Sequence, residues 1–216
     1  MRSILATDAG AIEEATAVLD EKRLAVVPTD TLYALAADAL DEEAVLEVFR
    51  AKRRAADQAL PVCVGSFEQA LQHVAMPSSL ANVMADRFWP GPVTLVMRAR
   101  PWLPDALTAG EPTVAVRVPA SEFARKLASH FGPFVVTSAN VSGKAAASTI
   151  EDARDQLGAA AAIYVDGGPL RGTPSTIVDC TAADGGPPRV LREGAVRAAE
   201  VLAIGREGDR ELSQGG

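Results

Sequence analysis

The sequence predicts a single α/β domain built on a mixed, twisted open sheet flanked by helices. Short apolar segments that fit buried strands alternate along most of the chain with segments of helical periodicity. Some apolar segments follow one another without a helix between them, which favours a sheet with both parallel and antiparallel neighbours. The chain has 216 residues, 48% of them hydrophobic, and this is enough to bury one substantial core.

The first third of the chain contains three segments of helical spacing, each preceded by a candidate N-cap. The expected caps are Asp8 for a helix over 9–23, Asp41 for a helix that ends at residue 52, and Ser66, with Gln69 as its capping-box partner. The apolar runs between these helices predict two buried strands, LAVVP (24–28) and PVCV (61–64).

The rest of the chain repeats this alternation. Helices are predicted over 78–88, 121–131 and from Thr149 to Leu157. Six further strands are predicted in the segments VTLVMR (93–98), TVAVRV (113–118), FVVT (134–137), AAIYV, STIVDC and PRVLR. We expect the domain to span residues 1–203 and the polar, Gly-rich residues 204–216 to form a disordered tail.

The overall charge argues against one class of function. The formal net charge is −7 at pH 7, which disfavours a protein whose main task is to bind a nucleic-acid backbone, because that affinity comes from summed Lys and Arg contacts. A local basic pocket is still compatible with this charge, since the field in a cleft depends on the nearby groups.

The two cysteines and the apolar runs predict a soluble, cytoplasmic protein. Cys63 and Cys180 have no CxxC spacing and lie in apolar contexts, which favours reduced thiols. The N-terminus lacks a secretory apolar region, and no apolar run approaches the roughly 18 residues of a membrane span. We therefore expect no membrane contact.

Polar residues gather where predicted strands end, which is where α/β sheets bind ligands. The segments are PTDTLY (28–33), KRR (52–54), VRVP (116–119), TSANVSGK (137–144) and GTPSTIVD (172–179). Their hydroxyls, amides and cations suit an anionic, phosphate-bearing ligand. Residue by residue, simpler explanations stay open: a polar turn for 137–144, an outward-facing Arg117, and a cationic helix end at 52–54 that complements the helix dipole.

Six motifs in order resemble the YrdC/Sua5 family, the L-threonylcarbamoyladenylate synthases. They are PTDTLYAL (28–35), KRRAADQALPV (52–62), WPGPVTL (89–95), VAVRVP (114–119), SANVSG (138–143), and DGGPLRGTPSTIVD (166–179) with LREG (191–194). The resemblance covers most of residues 10–197, and the chain length is similar to that of the short bacterial TsaC form. It implies a YrdC-like domain with a large, positively lined concave cavity.

The resemblance also implies a reaction. L-threonine, bicarbonate and ATP, with Mg²⁺, would give threonylcarbamoyl-AMP and pyrophosphate, which makes the chain a nucleotidyltransferase. Downstream transfer proteins would then pass the group to adenosine 37 of tRNAs that read codons beginning with A, and a weak contact with tRNA is part of this expectation. No metal-ligating residue is expected in the chain itself.

Matching the motifs assigns twelve residues to the site. Lys52, Arg54, Ser138 and Asn140 fall on the family's catalytic tetrad, with Lys52 and Arg54 expected to neutralise ATP phosphates. The residues expected around threonine are Thr31, Tyr33, Arg117, Thr137 and Ser175, with Arg117 pairing the carboxylate. The residues expected around the nucleotide are Lys52, Arg54, Asn140, Ser142, Ser148 and Arg192.

Three departures and two rival functions stand beside this interpretation. Ala34 and Ala36 replace usual glycines and Ala55 a usual proline, and a methyl group at position 34 could narrow the pocket. One rival is a YciO-like paralogue, against which the intact Lys-x-Arg and Ser-x-Asn pairs argue. The other is a non-catalytic RNA-binding module, which the net charge and the 5% aromatic content disfavour.

Overall fold

The computed structural model describes residues 2–182 and 186–204, which contain eleven β-strands, the seven α-helices given below and a further helical stretch over 198–204. The strands are β1 (Arg2–Leu5), β2 (Ala25–Pro28), β3 (Tyr33–Ala36), β4 (Val62–Cys63), β5 (Val93–Arg98), β6 (Thr113–Arg117), β7 (Phe134–Val135), β8 (Thr137–Ser138), β9 (Ile163–Asp166), β10 (Thr176–Asp179) and β11 (Arg189–Arg192). The helices are α1 (Ala11–Asp20), α2 (Glu42–Lys52), α3 (Phe67–His73), α4 (Ser79–Phe88), α5 (Asp105–Thr108), α6 (Glu122–Phe131) and α7 (Ile150–Leu157).

The predicted class, a mixed α/β fold with open sheets flanked by helices, is confirmed, and the strands divide between two sheets. One sheet has the order β1-β9-β2-β3-β8 and the other β11-β10-β5-β6-β4-β7. Each sheet contains both parallel and antiparallel pairs: β2 is parallel to β9 and antiparallel to β3, and β5 is parallel to β10 and antiparallel to β6. The prediction of parallel and antiparallel neighbours, made from strands that follow one another without a helix, is therefore confirmed.

The predicted strand FVVT contains one of the places where the chain passes from one sheet to the other. Phe134 and Val135 pair with β4 in the six-stranded sheet, whereas Thr137 and Ser138 pair with β3 in the five-stranded sheet. Only Val136 separates the two short strands. A continuous apolar run carries no sign of such a switch, because both halves are equally compatible with burial in a sheet.

Most of the predicted helix caps are confirmed, and one is wrong. Asp41, Ser66 and Thr149 each accept a hydrogen bond from the N–H three residues on, as N-caps do. The helix expected to start after Asp8 begins instead after Gly10, which has φ 87°, and the Asp8 carboxylate accepts the Leu5 N–H. The left-handed turn at a glycine starts the helix two residues later than the acidic cap predicted.

The reciprocal bond of the Ser66 capping box is displaced by one residue. The Gln69 side-chain oxygen accepts the N–H of Gly65, rather than that of Ser66, over 2.7 Å. The Gln69 amide group then donates to the Ala128 carbonyl of α6. The same side chain therefore caps one helix and ties it to another.

Two apolar clusters form the core, one on each side of the five-stranded sheet. Val26, Tyr33 and Leu35 belong to the larger cluster, which extends to the six-stranded sheet. Val27 and Ala34 belong to the smaller cluster, together with apolar residues of α1 and α6. Strand β2 is buried on both faces, so its residues show an unbroken apolar run instead of alternation.

Two strands were not predicted, and the tail is only partly described. Strand β1 lies at a sheet edge and is mostly exposed, so it lacks an apolar signal. Strand β3 continues a polar segment that we interpreted as a loop. Of the predicted tail, Ile204 belongs to a helical stretch over 198–204 and packs against the larger cluster, and the other residues of 204–216 lie outside the described part.

The structure bears on the predictions for the two cysteines and for membrane spans. Cys63 and Cys180 are both buried free thiols. Within the described ranges, no helix is both long and apolar enough to cross a membrane.

The cap of α2 leads to the first prediction. The Asp41 carboxylate accepts the Ala44 N–H and also pairs with Lys22 over 2.6 Å on the surface. Replacing Asp41 with alanine should lower the free energy of unfolding by about 1 kcal/mol in a urea titration, because an orphan N–H is left at the helix start. Asp41→Asn is the control, since asparagine keeps the acceptor. Equal losses in both variants would assign the effect to the ion pair instead.

Candidate functional site

A cavity of about 630 Å³ is lined by residues from both sheets. From the six-stranded sheet come Ile177, Thr94 and Arg117, which share one face because Ile177 pairs with Thr94 and the β5–β6 register places Thr94 opposite Arg117. From the five-stranded sheet come Ala34 and Ser138, which pair across β3 and β8. The cavity therefore depends on how the two sheets are joined.

The cavity is strongly cationic although the whole chain is acidic. Five cations line it: Lys52, Arg54, Arg117, Lys144 and Arg192. No Asp or Glu occurs among the described residues that line it. Such a lining concentrates positive potential at one place, as a site for a multiply charged anion requires.

Eleven of the twelve residues predicted for the site line this one cavity, and Ser148 does not. The Ser148 N–H and hydroxyl both approach the Asp152 carboxylate at the start of α7, and its carbonyl accepts the Leu170 N–H. Its local role in the described structure is to join the 167–175 segment to α7. The lining itself gives no support to Ser148 as a nucleotide contact.

Lys52 lies at the end of α2 with its ammonium group inside the cavity wall. The side chain is 3% exposed, and Nζ donates to Ser138 O (2.5 Å), Asn140 O (2.8 Å) and Asn140 Oδ1 (3.2 Å). An ammonium group has three N–H donors, so all of them hold the 138–140 loop. Burial, and then the nearby Arg54, lower the pKa of Lys52 to about 8.

The Ser-x-Asn segment is held in one conformation by its own side chains. Ser138 Oγ donates to Asn140 Oδ1 over 2.5 Å, and Asn140 Nδ2 donates to the carbonyls of Val141 and Lys144. The Ser142 N–H donates to the Lys52 carbonyl. The polar turn that the sequence allowed is therefore present, and it is built against the cationic helix end.

Arg54 presents donors to the cavity that the protein leaves unused. Its Nη2 donates to Gln58 Oε1 over 2.6 Å, and its guanidinium lies 5.8 Å from the Phe49 ring centre. Its Nε is buried and makes no hydrogen bond. The intervening Arg53 caps α2 in the left-handed conformation, with φ 51°, and is exposed. An anion in the cavity would satisfy Arg54, whereas Arg53 faces solvent.

Arg117 is buried and joins segments of both sheets. Its Nε donates to Gly91 O, its Nη1 to Thr31 Oγ1 and its Nη2 to Asp30 Oδ1, over 2.9, 2.9 and 2.6 Å. The Thr31 hydroxyl also lies 3.0 Å from the Thr29 hydroxyl. The outward-facing alternative for Arg117 is thus wrong: the side chain is 5% exposed and lines the cavity.

Tyr33 lines the cavity, but its hydroxyl is engaged in hydrogen bonds within the protein. The hydroxyl donates to Gly168 O over 2.8 Å and accepts the Gly167 N–H. Burial raises the pKa of Tyr33 to about 12. The tyrosine therefore anchors the turn after β9, which begins the segment that crosses the cavity.

Ser175, Thr94 and Arg192 form a second polar group at the cavity wall. The Ser175 and Thr94 hydroxyls lie 2.9 Å apart, and Arg192 Nη2 donates to Ser175 O over 2.9 Å. Burial, and then Arg117, lower the pKa of Arg192. Gly194 follows closely, and a methyl group there would lie 2.3 Å from the Pro174 carbonyl oxygen. Only glycine allows this approach of β11 to the loop before β10.

Sequence reasoning missed several lining residues, which are Thr29, Gln58, Thr94 and Lys144. Lys144 closes the segment TSANVSGK that was selected for its hydroxyls, so its charge was a usable signal. Thr94 lies within a strand-like run and gave none, because alternation does not tell which face meets a ligand.

The three departures from the family pattern have local explanations in the structure. Ala34 and Ala36 pack in the apolar cluster with α1 and α6, and neither has a positive φ. Glycine is therefore not needed there for the backbone, although Ala34 also touches the cavity. Ala55 is exposed in the loop after α2.

Residues 2–182 and 186–204 contain no group of three or more His, Cys, Asp or Glu side chains that could hold a metal ion. Mg²⁺ in phosphate-binding sites keeps several waters and takes phosphate oxygens as ligands, with few carboxylates. The described lining of this cavity offers hydroxyls, amides and cations, but no carboxylate.

The fold and the cavity define a mixed α/β protein with a cationic ligand site between two sheets. The sequence model of one family, Sua5_yciO_yrdC, described as "Telomere recombination", matches residues 17–194. The chain belongs to this Sua5/YciO/YrdC family.

Relatives with assigned names point to one activity. Threonylcarbamoyl-AMP synthases of Pyrococcus abyssi and Bacillus subtilis are 38% and 35% identical over 89% and 93% of this chain, which spans 56% and 58% of their own lengths. A Mycobacterium leprae protein of matching length, provisionally given the same name, is 41% identical over 89% of this chain and 88% of its own.

Solved structures agree with the fold. P. abyssi Sua5 complexed with L-threonine has a TM-score of 0.87 and 37% identity, and the match covers 94% of this chain and 60% of that one. Escherichia coli YciO has a TM-score of 0.80 over 93% of this chain and 97% of its own, but only 22% identity, so it shows the fold alone.

The lowered pKa of Lys52 leads to a prediction of proton uptake. At pH 8 about half of this group is unprotonated in the free protein, and a bound phosphate anion raises the pKa toward its ordinary value of 10.5. Binding of ATP at pH 8 should therefore take up roughly half a proton. Calorimetry in buffers of different ionisation enthalpy measures this number.

Lys52→Arg is the matched variant, because arginine stays protonated at pH 8. The Lys52→Arg variant should therefore bind ATP at pH 8 without this proton uptake. An uptake in Lys52→Arg equal to that of the unmodified protein would show that another group titrates.

Proposed function

We propose that the protein is an L-threonylcarbamoyladenylate synthase, a nucleotidyltransferase that uses L-threonine, bicarbonate and ATP. The observation that carries the proposal is the one cavity in which four cations lie together with a buried Thr31–Arg117 pair and the Ser138–Asn140 loop. The names of relatives at 35–41% identity support the same activity. The P. abyssi relative has been crystallised with L-threonine.

The reaction needs positioning and charge neutralisation more than a nucleophilic side chain. The threonine amine combines with bicarbonate, losing water, to form a carbamate. A carbamate oxygen then attacks the α-phosphorus of ATP, the bond from this phosphorus to the β-phosphate oxygen breaks, and pyrophosphate leaves. Both steps gain from held reactants and from cations at the developing charge.

The residues divide these tasks by their geometry. Arg54 has unused donors in the cavity and is assigned to the phosphates, with Lys144 and Arg192 as neighbouring cations. Lys52 is assigned two roles. Its charge neutralises the phosphates, and its N–H donors hold the Ser138 and Asn140 carbonyls. Arg117, beside Thr31, is assigned to the threonine carboxylate. Thr137 and Ser175 complete the wall around the amino acid.

Mg²⁺, when present with ATP, would supply charge neutralisation on the phosphate oxygens. The carboxylate-free lining found in the described cavity fits a metal that enters with the nucleotide. Downstream, the adenylate would be consumed by proteins that transfer the threonylcarbamoyl group to tRNA, which implies a cytoplasmic role. Weak contact of this chain with tRNA is part of the same proposal.

The rival functions receive less support. YciO shares the fold at 22% identity, whereas the synthases reach 35–41%. An RNA-binding module without catalysis would not need a buried Arg117–Asp30 pair or a loop clamped by Lys52. We therefore place catalysis first.

The central test is pyrophosphate release by the purified protein. Release should require both L-threonine and bicarbonate besides Mg²⁺ and ATP. Arg54→Ala should lower kcat/KM by about 10²–10³-fold, because it removes a cation assigned to the charge of the transition state. Asn140→Ala should lower it by a similar factor, because the Asn140 side chain holds the loop against Lys52 and Ser138. Release that is indifferent to threonine would refute the synthase proposal.

Arg53→Asn is the matched control for Arg54→Ala. It also removes one cation from the same turn, and asparagine tolerates the left-handed conformation that Arg53 adopts. Because Arg53 is exposed, the variant should keep activity within about twofold of the unmodified protein.

A further inference from the structure

Asp30 stands directly behind the arginine that the proposed function assigns to threonine. It lies in the turn between β2 and β3, and its Oδ1 accepts from Arg117 Nη2 over 2.6 Å. Asp30 is not among the residues that line the cavity, whereas Arg117 is. The aspartate therefore contacts the arginine without facing the ligand space.

The contacts of Arg117 leave two donors for a ligand. A guanidinium has five N–H groups. Three are engaged, by Gly91 O, Thr31 Oγ1 and Asp30 Oδ1, so one N–H remains on Nη1 and one on Nη2. Three acceptors on different atoms hold the guanidinium plane in one orientation. A carboxylate can accept one N–H from each terminal nitrogen of a guanidinium, which is a bidentate contact.

The charge of Asp30 also changes the field at this end of the cavity. Arg117 is 5% exposed, and Asp30 forms the only ion pair of a cavity-lining cation among the described residues. The Asp30–Arg117 pair is neutral in sum, while Lys52, Arg54 and Lys144 carry no such partner. The pair thus suits a monovalent carboxylate, and the uncompensated cations suit a polyphosphate.

We infer that Asp30 is a positioning residue for the amino-acid substrate: it orients Arg117 so that its two remaining N–H groups receive the threonine carboxylate. The inference rests on the proposed function and assigns a role to a residue that lies outside the cavity lining. It follows from the 2.6 Å contact, the burial of Arg117 and the position of Asp30 outside the lining. Loss of Asp30 should weaken threonine binding and leave ATP binding intact.

The test is calorimetric binding of L-threonine and, separately, of ATP to the full chain. Asp30→Ala removes the acceptor and should weaken threonine binding by about 10- to 100-fold. Asp30→Asn keeps a neutral acceptor of the same size and should weaken it by only about 3- to 10-fold. The Kd of ATP should stay within twofold in both variants.

L-threoninamide separates positioning from general damage. It lacks the carboxylate, so the unmodified protein should bind it far more weakly than L-threonine. Asp30→Ala should bind the amide about as well as the unmodified protein does, because only the carboxylate interaction is lost. A purely structural defect would weaken both ligands and ATP alike.

Asp179→Asn is the matched control. The Asp179 side chain is 15% exposed against 16% for Asp30, and it too forms an ion pair, with Arg189 outside the cavity. Its threonine Kd should not change.

The outcomes are decisive in each direction. The graded loss for threonine, with unchanged ATP and amide binding, supports the inference, and if Asp30→Ala does not fold, Asp30→Asn alone decides. Folded variants that bind threonine as tightly as the unmodified protein overturn it. An unmodified protein that does not bind threonine at all would refute the proposed function, which is a distinguishable result.

Discussion

A cavity between two sheets exists only if the sheets are held apart and in register, and Arg117 is the side chain that spans them. It belongs to β6 of the six-stranded sheet and reaches the turn between β2 and β3 of the five-stranded sheet. The main chain also links the two sheets, for example where it changes sheets at Val136. A buried guanidinium loses its hydration and requires hydrogen bonds in its place, and three of the N–H groups of Arg117 have acceptors in the protein. The same requirement makes its geometry reproducible for a ligand.

The charge of the site is concentrated rather than general. The chain carries 28 acids and 21 cations, yet the cavity lining contains cations alone among the described residues. Burying Lys52 beside Arg54 without a carboxylate is unfavourable, as its lowered pKa records. An anionic ligand relieves this cost, so binding energy is stored in the free protein at the place where the nucleotide is proposed to bind. The acidic outer surface keeps nonspecific polyanions at lower affinity.

Local positions in the fold were predictable to different degrees. Caps such as Asp41 and Thr149 depend on one side chain and an N–H three residues away, so their spacing was sufficient. The start of α1 was not, because a left-handed Gly10 competes with the acidic Asp8. The successive strands β7 and β8 were predicted as one strand. Each pairs with a strand of a different sheet, and that choice depends on residues far along the chain. For the site, motif matching gathered eleven lining residues, but it did not predict that the Lys52 ammonium group also holds the 138–140 loop.

The sequence by itself determined the class of fold, most helices and strands, and eleven of the residues that meet in the cavity. These features are encoded by periodicity, by local caps and by motifs of contiguous residues. Only the tertiary structure decided that there are two sheets. It also decided that the Tyr33 hydroxyl bonds to the 167–168 turn and that Asp30 accepts a hydrogen bond from Arg117. Each of these depends on which donor finds which acceptor over more than 80 residues of chain. Hydrogen-bond partners are chosen by three-dimensional proximity, which spacing along the chain does not encode.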